Sequence, residues 1–502
     1  MRIVTNHPAD GASTARIHTP RDDVVVERAV GDGRFVAETG PFSRYKRTLT
    51  EREDGSVDEV IDCALAVPFW WPVFWGPMRA ALRRRPRDGH GPWWAPPAAL
   101  DTRAATVLGL LASLAIVEGY TGTLLTQTIT YAADEFGADR SGQGTTLAAV
   151  RVGVLLALVL AARADRFGRR RLLVTSAAGA CLAAAAGAVA PTLGALAVTQ
   201  MLVTGFGGAT GILIAITSAE EMPAGARAYA YSLLTMAGAL GAGMCLWVLP
   251  VADLGERGWR VTYAVPLLGL AVVAAVARRL PESRRFERPH AATTLPTHGR
   301  RLALLAGAAF LGALFIAPAF QFQNDFLREE HGFSAARISL FTILTSTPGA
   351  LGIVFGGRLA DVRGRRLVGA VGVAGGTLAV VASFASSGWP LWAWAAVGSV
   401  VGGLAVPSLG VYRPELFPTA LRGRASGVIG VVALTGSAIG LVTVGRLVDR
   451  WGSYAGPIAL MAIGPLLMAV LVIVAFPETK SRELEDLNPE DLPDPAVATT
   501  AT

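Results

Sequence analysis

The chain has 502 residues, of which 52% are hydrophobic and 57 are glycine, and its mean hydropathy is +0.45. That composition excludes a soluble multidomain protein and points to membrane helices packed closely through small residues. The net charge of +7 does not by itself exclude nucleic-acid binding, but the arginines sit in short clusters between apolar runs, which fits membrane topology better.

Residues 1–100 read differently from the rest and form an expected N-terminal extension. The opening MRIVTNHPADGAS is too polar for a signal peptide, so insertion is expected to depend on the first transmembrane helix. Short β-prone runs at Val24–Val30, Arg34–Glu38, Ser43–Glu53 and Ser56–Val67, separated by Gly31-Asp32-Gly33 and Asp54-Gly55, predict a small cytoplasmic β-meander. Ala64–Met78 packs aromatics around prolines but is too short to cross a bilayer. It reads as an interfacial segment, with Arg79–Arg87 and Trp93-Trp94 at headgroup level.

From Ala104 onward, apolar runs recur at lengths that fit one membrane helix each. They are placed at 104–131, 143–163, 171–190, 193–219, 227–250 and 259–280, then at 301–326, 335–358, 366–386, 390–413, 423–446 and 454–476. The expected fold class is therefore all-α membrane protein, with twelve helices in two six-helix halves, 101–285 and 301–480. A polar link at 286–300 reads as a hinge, and the acidic, Pro-rich tail at 481–502 as disordered. Arginine concentrates in the loops after the second, fourth, sixth, eighth and tenth spans. The positive-inside rule then places both termini in the cytoplasm and the chain in the cell membrane.

The halves carry a repeated charge pattern. AARADRFGRRR at Ala161–Arg171 returns as GRLADVRGRRL at Gly357–Leu367, so Asp165 matches Asp361 and Gly168 matches Gly364. Glu220-x-x-Pro-x-x-x-Arg227 returns as Glu415-x-x-Pro-x-x-x-Arg422, and Pro281-Glu282-Ser283 as Pro477-Glu478-Thr479. Each displacement is about 195 residues, which argues for one unit used twice. A carboxylate beside arginines at a helix mouth can make charge-assisted hydrogen bonds that hold neighbouring helices in one packing. Asp165 with Arg166, Arg169 and Arg170, and Asp361 with Arg365 and Arg366, are expected to form a cytoplasmic gate. Glu220 with Arg227, and Glu415 with Arg422, are the expected partners.

On these motifs residues 104–485 resemble the major facilitator superfamily. Gly357-x-x-x-Asp361-x-x-Gly364-Arg365-Arg366 is similar to the family's loop signature, while the first copy has Ala161 in place of glycine. Arg413-Pro414-Glu415-Leu416-Phe417-Pro418 and Pro477-Glu478-Thr479 resemble the sugar-porter and metabolite:proton symporter branches. Against a sugar porter, the fourth span has Gln200 where that branch carries arginine, and the seventh has Phe320-Gln321-Phe322-Gln323-Asn324. The fifth-span motif of drug antiporters is not evident in Gly238–Gly243.

Polar groups within membrane spans are costly, which makes them site candidates. On the first span Tyr120, Gln127 and Tyr131 fall near one face. Gln323, displaced like the repeats from Gln127, lies beside Gln321 and Asn324. With Gln200, these residues are the expected binding set for a small polar solute; helix-tying roles are the alternative. Glu118 and Arg151 are read as a proton-coupling pair, since desolvation favours the neutral acid and a nearby arginine opposes it. The resemblance implies the same, because an acid beside Gly-Tyr is common in the first span of proton-coupled members. Glu118 points opposite Gln127 on an unbroken helix, so Gly119 and Gly122 are expected to bend the span.

Neither a metal-ligand cluster, nor a GxSxG elbow, nor a Walker A motif occurs, so no enzyme, metal or cofactor is implied and uphill work must draw on an ion gradient. The expected function is proton symport of a sugar or organic acid by alternating access. The expected partners are the solute, the proton and the bilayer, with the chain a monomer that binds no nucleic acid. An uncoupled facilitator, a proton-driven exporter and a transporter-like solute sensor are the alternatives.

Overall fold

A computed structural model of the chain describes residues 1–8, 16–85, 91–138, 146, 149–286 and 295–491. Part of the polar link at 287–294 and the end of the tail at 492–502 lie outside the described residues, as do residues 86–90 of the arginine run.

The N-terminal extension is a five-stranded antiparallel sheet ordered β1-β5-β4-β3-β2, with β1 Arg2–His7, β2 Val26–Gly31, β3 Arg34–Thr39, β4 Phe42–Glu51 and β5 Val57–Leu65. Four strands follow the predicted meander; β1 was not foreseen. It pairs along β5 from Arg2 opposite Asp62 to His7 opposite Val57, so its partner lies about 55 residues away. On the buried face of the sheet Arg47 pairs with two carboxylates, donating to Glu27 at 2.6 Å and to Glu59 at 3.4 Å, while the Tyr45 hydroxyl donates to Glu27 at 2.6 Å. Helix α1, Trp71–Arg83, buries Met78 and Leu82 against this sheet and exposes Trp71, Val73 and Trp75.

The helices between the N-terminal extension and the link are α2 Thr102–Glu135, α3 Gly153–Phe167, α4 Arg169–Gly187, α5 Leu193–Glu221, α6 Arg227–Val248, α7 Trp259–Ala264 and α8 Pro266–Arg279. Those after it are α9 Gly299–Gln321, α10 Gln323–Glu329, α11 Ala335–Ser346, α12 Gly349–Arg363, α13 Arg365–Phe384, α14 Gly388–Gly410, α15 Tyr412–Glu415, α16 Arg422–Trp451, α17 Ala455–Met461 and α18 Ile463–Ala475. Among the described residues ten helices are long and apolar enough to cross a membrane. The second and third predicted spans are not in that group. Gly153–Phe167 has 15 residues and begins just after a turn at Arg151, and Arg169–Gly187 opens on three arginines.

Helix α2 runs unbroken through Gly119 and Gly122. A Cβ at Gly119 would lie 1.9 Å from the Gly238 carbonyl and one at Gly241 2.0 Å from the Ile116 carbonyl, so glycine lets α2 and α6 touch backbone to backbone. Residues 481–491 of the tail, expected to be disordered, are built into the fold. A short helix, α19 Leu484–Leu487, leads to Asp491, whose carboxylate accepts from the Thr419 amide at 2.9 Å and from Arg422 at 3.2 Å. An apolar reading of the tail misses this because the contacts are charged and hydrogen-bonded, not hydrophobic.

Candidate functional site

The repeated motifs meet at one end of the bundle, called here the arginine-rich end. Gly168 separates α3 from α4 with φ +97°, and Gly364 separates α12 from α13 with φ +107°, a region that disfavours any other residue. Each glycine also faces a carboxylate that caps the next helix. Glu282 accepts from the amides of Arg169 at 2.9 Å and Arg170 at 3.0 Å, and Glu478 accepts from Arg365 at 3.0 Å and Arg366 at 3.2 Å. These are orphan helix N-terminal donors, where a negative group is favoured. A Cβ would come within 2.6 Å of Glu282 at position 168 and 2.8 Å of Glu478 at position 364. The Pro-Glu repeat signalled both carboxylates, but spacing alone does not say that they return to the glycine turn.

Asp165 and Asp361 reach across the link. Asp165 accepts from the amides of Gly423 and Arg424, each at 3.1 Å, at the start of α16. Asp361 accepts from Tyr229 at 2.9 Å and Ala228 at 3.4 Å, at the start of α6. Each aspartate therefore sits on the positive end of a helix from the other side of the link. Each also holds the arginine four residues on, with Arg169 donating to Asp165 at 2.6 Å and Arg365 to Asp361 at 3.1 Å.

The glutamates exchange partners relative to the sequence expectation. Glu220 does not pair with Arg227; it accepts from Arg422 at 2.7 Å and lies 3.4 Å from Arg169. Glu415 accepts from Arg365, and Arg227 lies 3.6 Å from it. A motif that repeats with fixed spacing shows that the pairs exist but not that they cross between copies. Every side chain in these pairs is at most 1% exposed, so these are buried charges and not surface salt bridges. Further ties cross the link here, from Arg169 to the Thr419 carbonyl at 2.5 Å and from Arg365 to the Ala224 carbonyl at 3.2 Å. The closure is incompletely satisfied. Among the described residues Glu415 Oε1 and the Nε atoms of Arg227 and Arg365 have no hydrogen-bond partner. A buried network with unfilled positions costs less to open than a complete one.

Arg166 is exposed and makes no ion pair among the described residues, and the Arg366 side chain bonds the Ile473 carbonyl instead of Asp361. Arg166 lies in the last turn of α3 and Arg366 in the first turn of α13. Sequence reading also missed Arg285, which donates to Glu485 at 3.1 Å and to the Glu220 carbonyl.

The departure at Ala161 has a structural counterpart. At the α6–α12 crossing a Cβ at Gly357 would lie 2.7 Å from the Ala228 carbonyl; at the α3–α16 crossing a Cβ at Gly423 would lie 2.1 Å from the Ala161 carbonyl. Ala228 and Gly423 are themselves equivalent positions in the repeat. Each crossing therefore pairs one glycine with one alanine, carried on opposite helices.

The expected solute residues divide. Tyr120 is buried and donates to the Thr262 carbonyl at 2.9 Å, which makes it a tie between α2 and α7 and not a free phenol. Gln200 is buried beside Gly187 and Tyr263, with its Nε2 lacking a partner among the described residues. Its amide lies against α4 at Gly187. Gln127, Tyr131 and Gln323 are half-buried, and Gln321 and Asn324 are exposed where Phe322 interrupts α9 and α10. Gln127 and Gln323 make no side-chain hydrogen bond among the described residues. Glu118 and Arg151 form no pair. Arg151 is exposed in the turn before α3, whereas Glu118 is half-buried and nearly touches the glycines of α5 and α6. A Cβ at Gly211 would lie 3.7 Å and one at Gly238 3.9 Å from its carboxylate oxygens.

Among the described residues at the opposite end of the bundle, the polar ties of Glu135 and Tyr454 stay on one side of the link. Glu135 accepts from Trp259 at 2.8 Å and Arg260 at 2.9 Å, and Tyr454 donates to Glu329 at 2.7 Å.

The family profile described as Major Facilitator Superfamily matches residues 111–323 and 302–500. The chain belongs to the Major Facilitator Superfamily. As a member of the superfamily it is a multi-pass membrane transporter and not an enzyme. It is 28% identical over 394 residues to a gallate transporter of Pseudomonas putida, covering 68% of this chain and 83% of that one. It is 26% identical over 364 residues to a metabolite transport protein of Haemophilus influenzae, covering 68% and 87%. The solved proton:xylose symporter XylE, bound to 6-bromo-6-deoxy-D-glucose, superposes with a TM-score of 0.67 at 16% identity over 77% of this chain and 99% of that one. The superfamily fold thus covers residues from the first membrane helix onward and leaves the N-terminal sheet outside it.

Proposed function

We propose that the chain is a proton symporter for a small organic acid, built as twelve spans in two six-helix halves that rock about a central solute site. The observation that carries this reading is the reciprocal crossing of the latch. Each half offers an aspartate to a helix N-terminus of the other, and Glu220 and Glu415 take arginines from both halves. Paired twofold contacts of this kind open and close together. The arginine-rich end is the cytoplasmic one by the positive-inside rule, and with it sealed the chain faces outward, both termini inside.

An organic acid is favoured over a sugar because the gallate transporter likeness extends over most of that protein, whereas the porter arginine is replaced here by Gln200. Gln127, Tyr131, Gln321, Gln323 and Asn324 remain the amide and phenol groups for such a solute. Glu118 is the proposed proton carrier, a membrane carboxylate with no ion-pair partner among the described residues.

Purified protein in liposomes tests this with gallate as the first solute. An inward proton gradient is expected to drive accumulation. Glu118→Gln is expected to cut the linked proton flux at least about tenfold, a change of roughly 1.4 kcal/mol, while solute counterflow persists. Normal proton flux in that variant rules out Glu118. Accumulation indifferent to collapse of the gradient identifies a facilitator, and binding without counterflow a sensor.

A further inference from the structure

A cavity of about 340 Å³ lies between the N-terminal sheet, α1, α2 and α6. Its size is that of a small-molecule pocket, and its walls are apolar, including Met78, Leu108, Ala112, Leu233 and Ala237. Three of the polar groups on those walls are already engaged. Asp23 is held by Arg21 at 2.7 Å, the Trp70 indole donates to the Gly109 carbonyl at 3.1 Å, and the Tyr229 hydroxyl donates to the Trp94 carbonyl at 2.7 Å. An occupant therefore gains chiefly by burying hydrocarbon.

The shape narrows the choice. Along α6 the wall runs from Tyr229, at the arginine-rich end, to Leu240, eleven residue steps or about 16 Å. That is the depth of one leaflet, half of a hydrocarbon core about 30 Å thick. Leu240 is 41% exposed, so the inner end of the slot opens at the surface of the bundle. At the outer end α1 presents Trp71, Val73 and Trp75 outward, with the Arg79 guanidinium 5.1 Å from the Trp75 ring and its Nε lacking a partner among the described residues. Exposed aromatics beside arginine on a short amphipathic helix suit the headgroup layer.

We propose that this slot holds one acyl chain of an anionic phospholipid from the adjacent leaflet, with its phosphate over the arginines of α1. The occupant also backs a strap across the latch. Trp94 borders the slot, while its neighbours Trp93 and Ala95 reach α12, the first stacking on Phe355 at 5.9 Å and the second accepting from Arg358. A filled slot thus supports contacts that join α6 to α12 in the sealed state.

Full-length protein in vesicles of phosphatidylglycerol and phosphatidylethanolamine, doped with phosphatidylglycerol bearing a photoactivatable acyl chain, provides the test. After illumination and digestion, adducts are expected to concentrate on Leu108–Ala112 and Leu233–Leu240 over the exposed face of α18 at Leu467–Val474. Ala237→Trp is expected to lower the slot adducts at least about fivefold and leave those on α18 unchanged. Moving the same chain to phosphatidylcholine is expected to lower them too. Equal adduct density in the slot and on α18 overturns the proposal, as does a well-folded Ala237→Trp protein labelled like the wild type. Equal labelling by the phosphatidylcholine probe overturns the anionic headgroup. If Ala237→Trp does not fold, the comparison of slot and α18 in the wild type still decides, with Leu108→Phe as the milder filling.

Discussion

Asp361→Asn is expected to leave a folded protein in the membrane and to cripple transport. The aspartate accepts two amide donors at the start of α6 and neutralises Arg365, which is fully buried. Asparagine keeps the shape but removes the charge that those donors and that guanidinium share. Breaking one partner of a buried pair typically costs roughly 3–5 kcal/mol. Arg365 lies four residues on in the same half, but the amides of Ala228 and Tyr229 come from across the link and reach Asp361 only with the arginine-rich end shut, so the loss of those charge-assisted bonds falls on that state. A shift of that size moves a two-state equilibrium by a factor of about a hundred or more. A cysteine placed at Ser232, where α6 meets Gly357, reads the change directly: maleimide labelling of the Asp361→Asn protein is expected to rise more than about tenfold. Solute counterflow is expected to fall by a similar factor. Unchanged labelling together with full transport means that Asp361 does not hold the latch.

Gly423→Leu is expected to act as strongly, by sterics in place of charge. A Cβ at this position would lie 2.1 Å from the Ala161 carbonyl and 3.0 Å from Asp165 Oδ1, and both obstacles belong to α3, whose backbone cannot rotate aside like a flexible side chain. The crossing must separate, and the amide of residue 423 then loses its bond to Asp165. Overpacking of a close contact costs roughly 1–3 kcal/mol even where side chains can adjust, and more is expected here. The measurable outcome is a protein that stays open at the arginine-rich end, with a Ser232 cysteine labelled in the resting state. Gly427→Leu on the same helix is the control, because a Cβ there would meet only side-chain and backbone atoms of Leu158 at 3.7 Å or beyond. Equal behaviour of the two variants contradicts the close-crossing account.

The parts of this molecule that were legible in its sequence are those written by local pattern. Apolar runs gave most of the helices to within a few residues, though α3 begins at Gly153, ten residues later than expected and after a turn at Arg151; β-prone runs gave four strands of the sheet, and the repeated Asp-Gly-Arg spacing marked both turns of the latch. What local pattern does not carry is which copy a side chain reaches. Glu220 and Arg422 stand about 200 residues apart, and only the docking of α5 against the start of α16 brings them to 2.7 Å. Strand β1 was overlooked for the same reason, since a six-residue polar edge strand is defined by its partner β5 and not by its own composition. Tyr120 looked like a solute ligand because a phenol in a membrane span needs a partner. The partner is a backbone carbonyl of α7, which no sequence pattern announces. Asp491 sits in a segment composed like a disordered tail, yet it is held by Thr419 and Arg422 through charge and hydrogen bonds, which hydropathy does not register.

The twofold latch also explains why the first motif tolerates alanine at position 161. The requirement is one glycine per crossing, not one per motif, and Gly423 meets it from the opposing helix. A substitution is therefore judged against what it faces across the interface.

The most direct measurement is a pair of spin-label distances in the same liposome preparation. One pair joins the exposed positions Arg166 and Arg363 at the arginine-rich end, and the other joins Asp134 and Arg328 at the opposite end. The resting protein is expected to give a short distance for the first pair and a long one for the second, and Asp361→Asn is expected to lengthen the first as it shortens the second. Two distances that change in the same sense, or that do not respond to Asp361→Asn, contradict the account.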